Sequence, residues 1–281
     1  MTEQETLTWL RKEIYQAAVE GNMAHLASSY SCLEILYTLY QKGVLHYRVE
    51  EPDWIDRDRF ILSKGHAGLA LYAVMTESGF LTREAFHSYL KPGGIIGGEP
   101  AVRDVPGVEA STGSLGHGIL IGVGMALGQK LNDSPGKTYV LIGDGECEEG
   151  TVWEAAMAAS AYGLDNLITI LDHNKIQKMD YVDKIMKIHN WEEKWSAFGW
   201  EVRTCDGHNT KEVKEVLTQP STGKPVLVLA NTIKGKGVSI MEHNPNWHFK
   251  VPNKKERKVF EKELSMRERK EMPCSEPISQ N

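Results

Sequence analysis

Gly143-Asp144-Gly145 and, thirty positions further on, Asn174 are the residues of this sequence whose types and spacing could do chemistry together. Glycines let a backbone approach a diphosphate closely. A helix starting after them would point its first N–H groups at the anion. Asp144 offers a hard carboxylate oxygen, Asn174 an amide oxygen and Ile176 a backbone carbonyl. Magnesium takes a few such protein oxygens and completes its octahedron with phosphate and water. A bare Gly-Asp-Gly is equally a tight strand-to-helix turn with an aspartate N-cap. Placement separates the two readings, and placement depends on the surrounding elements.

Thr138–Ile142 and Leu167–Leu171 are unbroken apolar runs, and the two motifs sit just beyond them with an alanine-rich helix, 151–162, between. Arg59–Leu62 is a third run, ending in Ser63-Lys64-Gly65-His66 before a small-residue helix to about Ser78. Trp200–Arg203 and Pro225–Ala230 are two more, with a short helix at 210–217. Helices are also expected over 3–20 and 31–40, where leucines recur at helical spacing. Strands buried on both faces read as continuous apolar runs, and strands alternating with helices imply a parallel sheet. The class is therefore α/β, a parallel sheet flanked by helices. Ligands of such sheets bind beyond the carboxyl ends of the strands, where three polar motifs lie. The domain is expected to span 1–252. Residues 253–281 form a charged tail, expected as a helix fraying into disorder.

Apolar residues make up 41% of the 281, enough for a packed core, and the net charge of -6 argues against a nucleic-acid surface. The first ten residues carry Glu3 and Glu5 and do not read as a signal peptide. No stretch has the length of a membrane span. Cys32, Cys147, Cys205 and Cys274 are far apart and form no CxxC pair, which argues against a disulfide framework or a zinc site. The expected location is the cytoplasm.

The segment GDGECEEGTVWEAAMAASAYGLDNLITILDHNKIQ resembles the thiamine-diphosphate motif. The resemblance extends over nearly the whole chain. HLASSYSCLEIL, FILSKGHAGLALY, VPGVEASTGSLGHGILIGVGMALGQK, the GDG block, FGWEVRTCDGH and IKGKGVSIMEHNPNWH follow the order of the transketolase family, in its N-terminal, diphosphate-binding half (the PP domain). The resemblance implies thiamine diphosphate and magnesium, or calcium or manganese in its place, held by Asp144, Asn174 and Ile176. It implies that His66 contacts the diphosphate and the reaction centre, and that Gly113, Ser114 and Leu115 line the cofactor beside Gly143 and Gly145. Leu115 would help impose the bent cofactor shape. His25 would contact substrate oxygens, His248 both the diphosphate side and the substrate. Glu149 would join an acidic network at the subunit interface. Each of these has a plain structural alternative: a turn, a helix-end charge or a packed histidine. Asp206-Gly207-His208, also within a family block, reads as a turn without a catalytic role.

The family's Gly-His-Pro segment, whose histidine contacts the donor sugar, is matched here by Gly98-Glu99-Pro100. An ionised carboxylate only accepts hydrogen bonds, whereas imidazole can do both, so Glu99 puts the usual ketose-phosphate donor in question.

The resemblance further implies transfer of a two-carbon ketol unit from a donor ketose, as a sugar or sugar phosphate, to an acceptor aldehyde. The cofactor carries the hard chemistry. Histidines suit the proton transfers because their pKa lies near the working pH. In the family, the glutamate that activates the aminopyrimidine comes from another domain. A separate C-terminal, pyrimidine-binding subunit is therefore expected, in an α2β2 assembly. Two other readings stay open: a specialised biosynthetic or 2-oxoacid-dehydrogenase-type relative moving a glycolyl or acetyl unit to another acceptor or carrier, and a non-catalytic cofactor-binding regulatory protein.

Overall fold

The strands predicted from apolar runs form one sheet in the computed structural model of the chain, which describes residues 1–265. They are β1 (Arg59–Leu62), β2 (Thr138–Gly143), β3 (Leu167–His173), β4 (Glu201–Asp206) and β5 (Val226–Asn231), in the order β1-β2-β3-β5-β4. Every pairing is parallel. The register puts Gly143 opposite Asp172 and Asp172 opposite Ala230. The polar motifs that end β1, β2 and β3 therefore emerge side by side.

The helices are α1 (Glu3–Gly21), α2 (Leu26–Ser31), α3 (Leu33–Gln41), α4 (Gly68–Glu77), α5 (Arg83–Phe86), α6 (His117–Leu131), α7 (Gly150–Ala161), α8 (Val182–Ile185), α9 (Trp191–Ala197), α10 (Thr210–Thr218) and α11 (Lys254–Glu263). Successive strand residues point to opposite faces. Leu141, Ile170 and Val228 pack under α1–α4 and α10, while Val140, Ile142 and Leu171 pack under α6, α7 and α9. With both faces covered, β2, β3 and β5 are buried along nearly their whole length, as the sequence predicted, whereas the edge strand β4 carries exposed polar residues.

α6 lies close on the sheet because Gly118 and Gly122 face it. A Cβ on Gly118 would fall 2.5 Å from Ser63 Oγ, and one on Gly122 would fall 2.5 Å from Val140 Cγ2. That approach brings the start of α6, and the Gly113–Leu115 loop before it, over the ends of β1 and β2. The helix expected over 31–40 begins at Leu33, and a separate short helix, α2, precedes it. Between them Cys32 leaves helical geometry at φ -108°, ψ 11°.

Residues 253–265 pack onto the domain. Asn253 caps α11 in a capping box with Glu256, and buried Phe260 stacks on Tyr15 of α1 with ring centroids 4.9 Å apart. The apolar core therefore runs past the expected boundary. The frayed end expected further on lies outside the described residues. Among the described residues no helix is long and apolar enough to cross a membrane.

Candidate active site

His66 sits in a single turn, Gly65–Ala67, that directly follows β1. His25 is the residue before α2, and His248 follows the short turn Pro245–Trp247. The three are far apart in sequence but converge: ring centroids lie 5.3 Å apart for His25–His66, 5.2 Å for His25–His248 and 5.4 Å for His66–His248. Burial and the nearby Lys234 ammonium push His25 down to about 4, and the same two causes push His248 further, to about 2. Burial, then Lys64, also lowers His66 well below its ordinary value. At neutral pH the cluster is three neutral imidazoles, each with one N–H donor and one acceptor nitrogen.

Next to the histidines, joined to them through Lys234 and His248, lies the group around Asp144 and Asn174. Asp144 is buried at the end of β2, with Oδ1 accepting from the Gly145 N–H (2.8 Å) and Oδ2 from the Lys175 N–H. Asn174 Oδ1 accepts from the Ile176 N–H at 3.1 Å, and its Nδ2 donates to Asp172 Oδ2 at 3.1 Å. The Ile176 carbonyl accepts from Lys234 Nζ at 2.8 Å, and that same Nζ lies 2.9 Å from His248 Nδ1. Asp144, Asn174 and Ile176, from two separate strand ends, thus form one continuous group with His248.

Four charged residues of this site were not singled out from the sequence. Asp172 is fully buried and accepts from Ser31, Thr232, Asn174 and the Lys64 ammonium. Burial, the largest influence, would raise its pKa, but Lys64 together with the Thr232 and Ser31 hydroxyls outweighs it and holds the carboxyl below its ordinary value. Lys234 is 2% exposed, and burial followed by the charge of Lys64 pushes it down to about 7. Glu146 links three loops: Oε1 accepts from Gly116 N–H (2.8 Å) and Ser63 Oγ (2.5 Å), and Oε2 from Gly143 N–H (3.0 Å). The rule that pointed to Asp144 reaches the others too. Lys64, Asp172 and Lys234 stand at or just past the carboxyl ends of β1, β3 and β5, where parallel sheets place their ligands.

The glycine loop packs against the turn that carries His66. A Cβ on Gly65 would lie 2.8 Å from Gly113 N, so the histidine turn and the loop touch backbone to backbone. Gly113 has φ +142°, and a Cβ there would fall 2.0 Å from Glu99 Oε2. Glu99 is exposed, and its carboxylate rests against the loop. Ser114 Oγ engages His117 Nδ1 at 3.1 Å, and Leu115 is half-buried. Glu149 precedes α7 with its side chain exposed, whereas Glu146, three positions earlier, is buried.

These residues fit a magnesium–diphosphate group. Burial, and then the charge of Asp172, push Asp144 up to about 6, a cost that a bound dication would relieve. The carboxylate, amide and carbonyl oxygens each keep a lone pair beyond their present bonds. Buried Ser28 Oγ and Thr112 Oγ1 have no hydrogen-bond partner within the chain. Among the described residues no three His, Cys, Asp or Glu side chains are placed to hold a metal by themselves. A cation here would thus depend on oxygens brought by the diphosphate, as magnesium prefers.

Known proteins resemble this chain in sequence and fold. The family model described as the transketolase thiamine diphosphate binding domain matches residues 4–276. The chain is 38% identical over 259 residues to one of the subunits of the apulose-4-phosphate transketolase of Phocaeicola vulgatus, covering 92% of each. It is 40% identical over 235 residues to the 6-deoxy-6-sulfo-D-fructose transketolase subunit SqwG of a Clostridium species, covering 83% of this chain and 85% of that one. Among solved structures, the transketolase of Campylobacter jejuni superposes with a TM-score of 0.87 at 29% identity, over 93% of this chain and 42% of the other. The chain spans less than half the length of such solved transketolases. A parallel sheet with its polar loops gathered at one end is the thiamine diphosphate-binding fold of these enzymes. The chain belongs to the transketolase family, as its thiamine diphosphate-binding domain.

Proposed function

We propose that this chain is the N-terminal subunit of a split transketolase. With a separate pyrimidine-binding subunit it transfers a two-carbon ketol unit from a donor ketose to an acceptor aldehyde. The observation that carries this reading is the similarity, along 92% of both lengths, to a protein whose own name makes it one subunit of a transketolase. An α2β2 assembly with the site between subunits, and a cytoplasmic location, complete the proposal.

When bound, thiamine diphosphate supplies a carbanion nucleophile and then an electron sink. The chain's own residues do the rest. Asp144, Asn174 and the Ile176 carbonyl hold magnesium, and Lys234 offsets diphosphate charge. Gly113, Ser114 and Leu115 line the cofactor with Gly143 and Gly145. Lys234 Nζ donates to His248 Nδ1, which leaves the His248 proton on Nε2, free to donate into the pocket. His25 and His66, both neutral, donate to or accept from substrate oxygens. Glu149, exposed in the single chain, joins the interface network.

Coexpression tests the split. Ketol transfer is expected only when the partner subunit, thiamine diphosphate and magnesium are all present. Full turnover by this chain alone would overturn the reading.

The exposed carboxylate of Glu99 beside Gly113 favours one refinement: a donor other than the common ketose phosphates. Comparing ketose phosphates, unphosphorylated or sulfonated ketoses and pyruvate as donors in the reconstituted complex decides it. Pyruvate as the best donor would instead support the biosynthetic alternative.

A further inference from the structure

The Asp206-Gly207-His208 turn follows β4, at the edge of the sheet, and none of its side chains has a part in the site described above. Its histidine is nevertheless bonded at both ring nitrogens. His208 Nε2 accepts from the backbone N–H of Ile233 at 2.8 Å, and Nδ1 lies 3.0 Å from Glu34 Oε2. An acceptor at Nε2 leaves the ring proton on Nδ1, which donates to the carboxylate. Glu34, 5% exposed, uses its other oxygen to pair with the buried Arg11 guanidinium. Arg11 Nε in turn donates to the carbonyl of Lys236 at 3.0 Å. Ile233 and Lys236 are thus held by two side chains that share one carboxylate, and Lys234 lies between them. A third bond, from Gly235 N–H to the Ala27 carbonyl at 2.9 Å, ties the same turn to α2, the helix that begins beside His25.

We propose that His208, Glu34 and Arg11 act as a positioning relay that fixes the Ile233–Lys236 turn and so holds Lys234 Nζ at the Ile176 carbonyl and His248. A lysine side chain has a long, mobile stem. A 2.8 Å and a 2.9 Å contact from one Nζ require its backbone to be fixed. The relay's own hydrogen bonds run to the turn and between its members, not to the pocket histidines or to Asp144. The role of Lys234 toward a diphosphate rests on the thiamine-diphosphate reading; the relay's hold on the turn does not.

The two histidine bonds separate by substitution. His208→Gln keeps an acceptor near the Nε2 position. His208→Asn keeps a donor near Nδ1 and loses the acceptor for Ile233. In the complex with its partner subunit but without cofactor, amide exchange at Ile233 should speed about tenfold in His208→Asn, the scale of one hydrogen bond, and stay near wild type in His208→Gln. In the same complex, half-saturation by thiamine diphosphate should rise about tenfold in His208→Asn, with kcat at saturation changed less than about threefold. His208→Gln should restore tight binding.

Faster exchange with unchanged cofactor affinity would overturn the positioning role, as would equal weakening by both variants. A wild-type complex with no thiamine-diphosphate affinity would overturn the function proposed above, and with it this role of Lys234, while the exchange result still decides whether the relay holds the turn. If His208→Asn does not fold, Arg11→Lys, which cannot bond Lys236 and Glu34 in the same way, serves in its place. It should weaken cofactor binding similarly, and unchanged binding would overturn the relay.

Discussion

Glu146 Oε1 and the backbone N–H of Gly116 meet at 2.8 Å, joining the turn after β2 to the start of α6. The same oxygen takes the hydroxyl of Ser63, just past β1, and Oε2 takes the Gly143 N–H. One buried carboxylate thus sets the spacing of the three loops that carry His66, Leu115 and Asp144. Burial raises its pKa even against these bonds. Glu146→Gln puts an amide N–H₂ against donors, leaving at least one buried group unsatisfied. A loss of about 1–3 kcal/mol is expected from urea unfolding, and a change within experimental error would refute the clamp.

The Lys64–Asp172 pair has side chains 1% and 0% exposed. Removing one partner of such a pair strands a buried charge at a cost of about 3–5 kcal/mol. Asp172→Asn should lose stability on that scale, and adding Lys64→Met should recover part of it. Asp172 has its folded pKa below its ordinary 3.8, so its contribution is present above pH 3.8 and is lost as pH falls below that. Acid unfolding of Asp172→Asn should lack this component.

The three histidines add a loss of stability in the same direction, beginning at higher pH. Their folded pKa values lie below the unfolded value of 6.5, at about 4 for His25. As pH falls below 6.5 the unfolded chain binds protons that the folded cluster refuses, so stability drops from pH 6.5 downward, to about 4 for His25 and on to about 2 for His248. Urea midpoints of the cofactor-free chain should fall from about pH 7 to about pH 5. His25→Gln should flatten that slope, and an unchanged slope would remove His25 from it.

Gly113→Ala should fail twice. Its φ of +142° suits glycine, and the new Cβ would strike the Glu99 carboxylate. Thiamine-diphosphate affinity of the complex should fall at least tenfold. Adding Glu99→Ala should restore only the steric part, because the backbone conformation is still unfavourable. Equal affinity for Gly113→Ala and wild type, by calorimetry, would remove this loop from the cofactor wall.

Asp144→Asn tests the metal. It removes the charge while leaving side-chain size. Magnesium-dependent thiamine-diphosphate binding should weaken at least tenfold, and the chelator concentration that releases cofactor should fall. Tight binding that still needs magnesium would move the metal elsewhere.

Glu99→His, finally, should raise kcat/KM for ketose-phosphate donors relative to the preferred donor, because imidazole both donates and accepts where the carboxylate only accepts. An unchanged ratio would show that Glu99 does not read the donor.

Much of this protein was legible in its chain. Short apolar runs such as Val140-Leu141-Ile142, alternating with helical stretches, read as strands covered on both sides, so the α/β class and the strand-end position of Asp144 and Asn174 followed from local pattern. Period and spacing carry that information within one element. They do not say that Phe260, beyond the expected domain boundary, stacks on Tyr15. Nor do they say that Lys64 pairs with Asp172, 108 positions away, or that His208 in a sheet-edge turn holds the backbone beside Lys234. A lysine or a histidine reads the same in sequence whether solvated or buried. Only the tertiary structure decided which charges left water, because the cost of burying one is set by the partner that packing brings to it.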